Sequence, residues 1–216
     1  MRSANPLLRF EQSLWDCGMH CLAGVDEAGR GALAGPLVAA AVTCESVKNI
    51  RRLLRDERCS LIRDSKTLSL SQRLEARALI EAHIDSIGVG IVPAEEIDFF
   101  GLAAANRMAM ERAVTALQSR PEFLLIDAMT IDHEVSQWGI IDGDAQSLLI
   151  SAASIVAKVA RDGIMVQMGE QFGAYEFSKH RGYGTAQHLD ELDRAGPCEI
   201  HRRSFEPIRS RSGWMV

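Results

Sequence analysis

Two adjacent carboxylates, Asp26 and Glu27, stand at the end of a short apolar run and precede a glycine-bracketed arginine. Asp127 closes the apolar run 123–126 in the same way, and Asp144 comes just before a long helical pattern. Carboxylates gathered away from water repel one another, so a group of this kind is stable only beside a cation. Hard oxygen ligands favour Mg²⁺ or Mn²⁺ over zinc. The four acids therefore predict a divalent-metal site, and two such ions would suit displacement at a phosphodiester.

Each aspartate also has an ordinary structural interpretation. A lone Asp at a strand end is often a solvated turn residue, and for Asp144 a helix N-cap is the competing interpretation, with Asp142 a rival for that role. Asp26 and Glu27 pose a geometric question as well, because neighbouring strand residues point to opposite faces of a sheet. Glu27 is therefore expected to need a bend in the chain, or a bridging ion, to share the site.

Gly29, Arg30 and Gly31 form a segment suited to close contact with a ligand. Glycine lets the backbone approach a ligand, and arginine supplies a charged contact to phosphate. A rival interpretation is the dinucleotide-binding fingerprint, since Gly29, Gly31 and Ala34 nearly fit its spacing. That fingerprint must open a helix, whereas the residues that follow here read as a turn and a strand.

The elements that must position these residues are readable from hydrophobic patterns. Apolar runs predict strands over 21–27, 37–43, 87–92 and 123–126, the last a buried parallel strand. A capping box at 69–72 predicts a helix through His83, and helical patterns cover 95–117 and 147–172. Residues 1–20 are expected to be an irregular leader, and the segment 178–207 is turn-rich. These patterns predict one α/β domain.

Composition limits the class of protein. The 216 residues carry a net charge of −5 and 47% hydrophobic residues, as expected of an ordinary globular chain. No signal peptide or membrane span is expected, so the five cysteines are interpreted as reduced thiols of a cytoplasmic protein. The segment Cys17 to Cys21 looks slightly like a metal clip but lacks a second pair of ligands.

Six motifs occur in order along the chain: GVDEAGRG, DSKTLS, LLIDA, SAASIVAKVARD, HRGYGTAQH and GPCEIHRRSFEPI. Together they resemble bacterial ribonuclease HII over residues 21 to 208. The resemblance implies an α/β ribonuclease H-like fold, with a central mixed β-sheet flanked by helices and a C-terminal helical extension. It divides the chain into a leader (1–20), a catalytic domain (21–208) and a tail (209–216).

The same resemblance implies a metal-dependent endonuclease that hydrolyses the RNA strand of RNA–DNA hybrids. It would also cut 5′ to single ribonucleotides embedded in DNA, leaving 3′-hydroxyl and 5′-phosphate ends. By motif, Asp26, Glu27, Asp127 and Asp144 look like the metal-binding set. The segment 29–31 looks like the loop that senses the 2′-hydroxyl, and Tyr183 like the ring that packs on the neighbouring deoxyribose. A monomer, with no membrane and no nicotinamide cofactor, is the expected form.

Basic residues are candidates for contacts to the nucleic-acid backbone. Lys66 lies in a polar loop and is a candidate phosphate ligand, although a solvated lysine is an equal interpretation. Of the pair Arg202 and Arg203, at least one is expected to be structural and to pin the end of the chain to the domain.

The chain departs from the family pattern at three places. Ala32 follows the segment 29–31 where the family usually has proline, Thr67 replaces a second lysine, and the pattern over 101–106 differs, which puts substrate contacts there in doubt.

Three other functions compete: a non-catalytic nucleic-acid-binding relative, another phosphoryl-transfer enzyme of the same fold class, and a nicotinamide oxidoreductase. The first predicts loss of a metal-binding acid, and the second predicts loss of the 29–31 segment and the tyrosine.

Overall fold

The computed structural model describes residues 7–63 and 65–210. Five strands form one mixed sheet: β1 (Leu22–Ala28), β2 (Leu37–Cys44), β3 (Ser86–Val92), β4 (Phe123–Asp127) and β5 (Gln137–Ile140). Their order across the sheet is β3-β2-β1-β4-β5. β1 and β3 each run antiparallel to β2, whereas β4 runs parallel to both β1 and β5. The predicted α/β organisation and the buried parallel strand at 123–126 are confirmed.

The helices begin and end at the following residues: α1 (Arg9–Asp16), α2 (Val47–Leu53), α3 (Leu70–His83), α4 (Ala94–Phe100), α5 (Leu102–Thr115), α6 (Leu148–Gln171), α7 (Phe177–His180) and α8 (Ala186–Ala195). Short 3₁₀ turns lie at Glu57–Leu61, Ser65–Thr67 and Gly143–Ala145. The predicted capping box is present, because Ser69 and Gln72 each bond the other's backbone N–H. α7 and α8 supply the helical C-terminal region.

Two of the predicted segments differ from the structure. The helix predicted over 95–117 is interrupted at Gly101, whose φ of 79° ends α4 and starts α5. The prediction of an irregular leader is wrong over α1. That helix packs Leu14 and Trp15 into the core, and its buried Glu11 accepts hydrogen bonds from Ser147 Oγ (2.7 Å) and Leu149 N (3.1 Å). Residues 1–6, 64 and 211–216, parts of the predicted leader, the DSKTLS motif and the tail, lie outside the described residues.

The sheet is covered on both faces, and this fixes the position of the site. Val42 and Leu22 face a core that includes α6, while Ala23 and Val25 face a core that includes α5. α6 crosses β1 so closely that a Cβ on Gly24 would stand 2.1 Å from the carbonyl carbon of Leu149. The first turns of α6 therefore lie directly beside the end of β1. Among the described residues, no helix has the length and hydropathy that a bilayer crossing requires.

Candidate active site

Three of the predicted carboxylates meet at one edge of the sheet. Asp26 and Glu27 end β1, Asp127 ends β4, and these parallel neighbours are paired in register up to Val25 and Ile126. Because the strands run side by side in one direction, their carboxyl ends lie together. One oxygen from each of the three side chains falls within 4.8 Å of the others. The structure thus brings together acids that are about 100 residues apart in the chain.

Glu27 reaches this group without a bend before it. β1 continues to Ala28, so of the two expected routes for Glu27, a bend in the chain or a bridging ion, the bend is wrong. The backbone N–H of Glu27 donates a 2.7 Å hydrogen bond to Oδ1 of Asp26, which turns the short aspartate side chain toward its neighbour. The longer glutamate side chain spans the remaining distance.

The cluster is electrostatically costly as it stands. Asp26 is only 5% exposed, and burial raises its pKa well above the ordinary value, with the charges of Glu27 and Asp127 adding to the shift. Burial also raises the pKa of Glu27, followed by the charge of Asp127, while Arg30 acts in the opposite direction. A divalent cation between the three oxygens would reverse this balance, because it favours the ionised carboxylates. The donor set, oxygen only, fits Mg²⁺ or Mn²⁺.

Asp144 lies next to this group but is not one of its three members. It sits in the 3₁₀ turn Gly143–Ala145, and the backbone N–H of Gly143 donates a 2.7 Å hydrogen bond to Oδ1 of Asp127. The alternative of an N-cap of the long helix is wrong for both Asp144 and Asp142, although Asp142 precedes the 3₁₀ turn without a capping bond from its side chain. Ser147 caps α6 instead, with its Oγ accepting from the N–H of Ile150 at 3.2 Å.

A cavity of about 620 Å³ opens over the acidic cluster. Of the nine residues singled out in the sequence, it is lined by eight: Asp26, Glu27, Gly29, Arg30, Gly31, Lys66, Asp127 and Tyr183. Acidic, basic, aromatic and glycine positions predicted from separate motifs therefore share one chamber. Asp144, in the turn that bonds Asp127, is the one of the nine outside this lining in the described part of the chain.

The segment 29–31 packs against Arg161 of α6. Gly29 has a φ of 94°, and a Cβ there would stand 2.0 Å from Nε of Arg161. The buried Arg161 guanidinium donates to the carbonyl oxygens of Pro36 (2.9 Å), Ala34 (3.1 Å) and Arg181 (3.0 Å). The chain then enters β2 and not a helix, so the dinucleotide-fingerprint interpretation is wrong.

Tyr183 is half-buried at the side of the cavity. Its ring centre lies 5.2 Å from Nζ of Lys158 and 5.1 Å from the guanidinium carbon of Arg161, both on α6. These cations pack against the ring within the range of a cation–π contact. Arg161 therefore touches the tyrosine and the segment 29–31 at once.

Comparison with known proteins gives the family. The ribonuclease HII family model matches residues 23–208, which is most of the chain. This chain belongs to the ribonuclease HII family. It is 45% identical to ribonuclease HII of Bacillus pumilus over 205 residues, covering 94% of this chain and 77% of that one.

Solved structures agree on the fold. The ribonuclease H2 of Pyrococcus horikoshii superposes with a TM-score of 0.73 at 28% identity, covering 88% of this chain and 96% of that chain. The ribonuclease HII of Archaeoglobus fulgidus, solved in a complex with PCNA, gives a TM-score of 0.68 at 25% identity, covering 86% and 95%. The predicted ribonuclease H-like fold is confirmed, and as a family member the chain is a ribonuclease H, a hydrolase acting on RNA–DNA duplexes.

Four more residues line the cavity that the motifs did not single out: Ser65, Arg73, Ser154 and Lys158. Ser154 Oγ is 3.0 Å from Ser65 Oγ, and its hydrogen bond to Asp26 partly offsets the raised pKa of that acid. Ser154 and Lys158 are four residues apart on α6, so they lie on one helix face. Their spacing of four residues in SAASIVAKVARD was the available signal.

Two further residues link the cavity to distant parts of the chain. Asn106, on α5, is 1% exposed, and its side chain hydrogen-bonds Glu27 and lowers the pKa of that acid, which brings the divergent 101–106 segment to the site. Arg202 is fully buried and donates to the carbonyl oxygens of Gly35 (3.1 Å) and Arg30 (3.0 Å). The prediction that one arginine of the pair 202–203 is structural is confirmed.

Proposed function

We propose that the cavity hydrolyses the phosphodiester 5′ to a ribonucleotide, in RNA–DNA hybrids and at single ribonucleotides within duplex DNA. The products would be a 3′-hydroxyl and a 5′-phosphate. The observation that carries this proposal is the shared cavity: three clustered carboxylates, the segment 29–31 and Tyr183 line the same space. We take residues 21–208 as the catalytic domain. We further propose that the protein acts as a cytoplasmic monomer.

Asp26, Glu27 and Asp127 would hold divalent Mg²⁺ or Mn²⁺, with Asp144 completing the set from the adjacent turn. A bound divalent ion supplies Lewis-acid activation of water and stabilises the leaving 3′-oxygen. The carboxylates fix the position of that chemistry at the edge of the sheet. Their burial among β1, β4 and α6 keeps them in place before substrate arrives.

The remaining lining residues would choose the substrate. Backbone groups of Gly29 and Gly31 approach the 2′-hydroxyl closely, and Arg30 contacts a phosphate. Tyr183 packs its ring on the deoxyribose next to the ribonucleotide, where a 2′-hydroxyl would collide with it. Lys66, which also lines the cavity, holds a backbone phosphate. In this scheme the 2′-hydroxyl is recognised and does not act as the nucleophile.

The test uses end-labelled duplex DNA with one ribonucleotide and an all-DNA duplex of the same sequence. Each is incubated with wild type, Asp127→Asn and Asp190→Asn, in Mg²⁺, in Mn²⁺ and in chelator. Asp190 is an exposed aspartate of α8 and serves as the matched control. We expect a metal-dependent nick 5′ to the ribonucleotide with wild type and the control variant, and none with Asp127→Asn.

The other outcomes separate the competing functions. Binding without cleavage by wild type would indicate a non-catalytic relative. Cleavage of the all-DNA duplex would contradict the role of the segment 29–31 and Tyr183 in sugar recognition.

A further inference from the structure

Three histidines form a buried group behind Tyr183. His180 ends α7, His188 lies on α8, and His201 lies in the segment that bridges to Ala34. Their exposures are 7%, 0% and 1%, and the rings of His180 and His188 stack with centres 4.3 Å apart. None of the three lines the catalytic cavity. Their hydrogen bonds nevertheless lead to it.

The partner atoms fix which nitrogen of each ring carries a proton. Nδ1 of His188 is 3.0 Å from the carbonyl oxygen of Tyr183, which only accepts, so Nδ1 must donate. Nε2 of His188 is then an acceptor, and Nε2 of His201, 3.0 Å away, must donate to it. Nδ1 of His201 is left to accept, and the backbone N–H of Cys198 donates to it at 2.9 Å. The chain of bonds runs in one direction, from Cys198 to the Tyr183 carbonyl.

Burial keeps both rings of this chain neutral. It lowers the pKa of His201 to about 3, with the neighbouring His188 adding to the effect, and it lowers the pKa of His188. A neutral imidazole has one donor and one acceptor, which is what a relay between an N–H and a carbonyl needs.

His180 holds the other side of the same loop. Its Nδ1 accepts from the N–H of Gly182 at 3.2 Å, so its Nε2 donates to Oε2 of Glu191 at 2.9 Å. The backbone N–H of Tyr183 donates to the carbonyl of His180 at 3.0 Å. The peptide groups on both sides of Tyr183 are thus bonded to the histidine group.

We propose that His188, oriented by His201, is a positioning residue that sets the angle at which the Tyr183 ring faces the substrate sugar. This rests on the proposed role of Tyr183 in contacting the deoxyribose. The side-chain direction of Tyr183 depends on its backbone, and its carbonyl accepts two hydrogen bonds. One comes from the backbone N–H of Thr185 at 2.8 Å, and the other comes from Nδ1 of His188, whose proton is placed by a second histidine. A loop held in this way presents the ring without a search among conformations at the moment of binding.

Two substitutions of similar size separate the two bonds of His188. In His188→Asn, the amide nitrogen takes the place of Nδ1 and still donates to the Tyr183 carbonyl, but the link to His201 is lost. In His188→Gln, the amide oxygen takes the place of Nε2 and still accepts from His201, but the Tyr183 carbonyl loses its side-chain donor and keeps only the N–H of Thr185. Both remove the ring stacked on His180, so the packing loss is matched.

We expect His188→Gln to raise KM for a single-ribonucleotide duplex roughly tenfold with kcat retained, because it weakens contacts made equally in the ground and transition states. His188→Asn is expected to keep KM within roughly threefold of wild type. A purely structural role predicts the opposite pattern: less active protein, hence a lower apparent kcat with KM unchanged, in both variants. Equal KM values for the two variants would overturn the proposal.

Tyr183→Ala in the same assay separates this proposal from the one it rests on. If Tyr183→Ala leaves KM unchanged, the role of the tyrosine itself fails. If Tyr183→Ala raises KM and His188→Gln does not, only the positioning role fails. ¹⁵N NMR of the wild-type histidines gives a test that needs no variant: His188 must be protonated at Nδ1 and His201 at Nε2, and the reverse tautomers would overturn the proposal.

Discussion

The guanidinium carbon of Arg161 lies 5.1 Å from the ring centre of Tyr183, while Nε of the same side chain donates to the Pro36 carbonyl at 2.9 Å. One buried arginine of α6 therefore joins the two loops that we propose to read the sugar. Its other nitrogens bond the Ala34 and Arg181 carbonyls, so the chain just after the segment 29–31 and the chain just before Tyr183 each receive at least one of its hydrogen bonds. The position of the segment 29–31 relative to Tyr183 follows from the contacts that Arg161 makes with both.

Arg161→Lys is expected to lower the free energy of unfolding by about 2–4 kcal/mol, because one ammonium cannot reach three carbonyls and leaves buried acceptors unpaired. We also expect kcat/KM for a ribonucleotide-containing duplex to fall at least about tenfold, since the two loops lose their common support. Denaturant unfolding and steady-state kinetics measure both. Arg77→Lys, in an exposed pair with Glu81, is the control and should stay within about 0.5 kcal/mol of wild type. A stable, fully active Arg161→Lys would contradict the linking role.

The two glycines around Arg30 should respond differently to alanine. Gly29 combines a φ of 94° with a Cβ position 2.0 Å from Arg161, whereas a Cβ on Gly31 meets nothing within 4 Å. Gly29→Ala is therefore expected to cost about 2–4 kcal/mol of stability and Gly31→Ala less than about 1 kcal/mol. Thermal unfolding of the two variants beside wild type checks this. Similar losses in both would mean that the tight contact under Gly29 is not a constraint.

The strand ends were readable from the sequence because each is a short apolar run with a polar stop. β1, β2, β3 and β4 begin and end within one residue of their predictions, and Asp26 and Asp127 follow from those ends. β5 was missed because QWGI is short and half exposed. It is a strand only because β4 offers an edge to pair with.

The supporting residues were missed for a different reason. Arg161 reads as an ordinary polar residue of a helix, and nothing local shows that its acceptors Pro36 and Ala34 lie some 125 positions earlier in the chain. Glu11 likewise gains its burial and its partners from the start of α6. Such contacts depend on tertiary packing, which periodicity along one segment cannot report.

Asp127 and Asp144 should separate in a metal-binding assay. We expect Mn²⁺ to raise the melting temperature of wild type, by the stability that a ligand specific to the folded state adds. Asp127→Asn should lose that shift because it removes one of the three clustered oxygens, whereas Asp144→Asn should keep a smaller shift and still lose roughly a hundredfold in kcat/KM.

In chelator, Asp127→Asn should melt no lower than wild type. It removes a like charge, and its amide oxygen can still accept from the N–H of Gly143. Equal Mn²⁺ shifts for the two variants would argue against the three-oxygen group as the main ligand set.

The buried carboxyl of Glu11, which lies outside the lining of the cavity, predicts a pH dependence of stability. Burial raises its pKa above the ordinary 4.5, with the bonds from Ser147 and Leu149 acting in the opposite direction. The folded chain therefore holds a proton that the unfolded chain releases, so this group's contribution to stability is present below pH 4.5 and is lost as the pH rises toward the folded pKa.

Glu11→Gln cannot ionise and keeps an oxygen to accept from both donors. Its melting temperature relative to wild type should therefore rise between pH 4.5 and 7.5 in a paired thermal series. Glu134→Gln, whose side chain is 74% exposed in its pair with Arg120, should show a flat difference over the same range. If the Glu11→Gln difference is also flat, Glu11 ionises in the folded protein as readily as in the unfolded chain. The partial positive charge at the N-terminus of α6 would then stabilise the carboxylate by more than burial destabilises it.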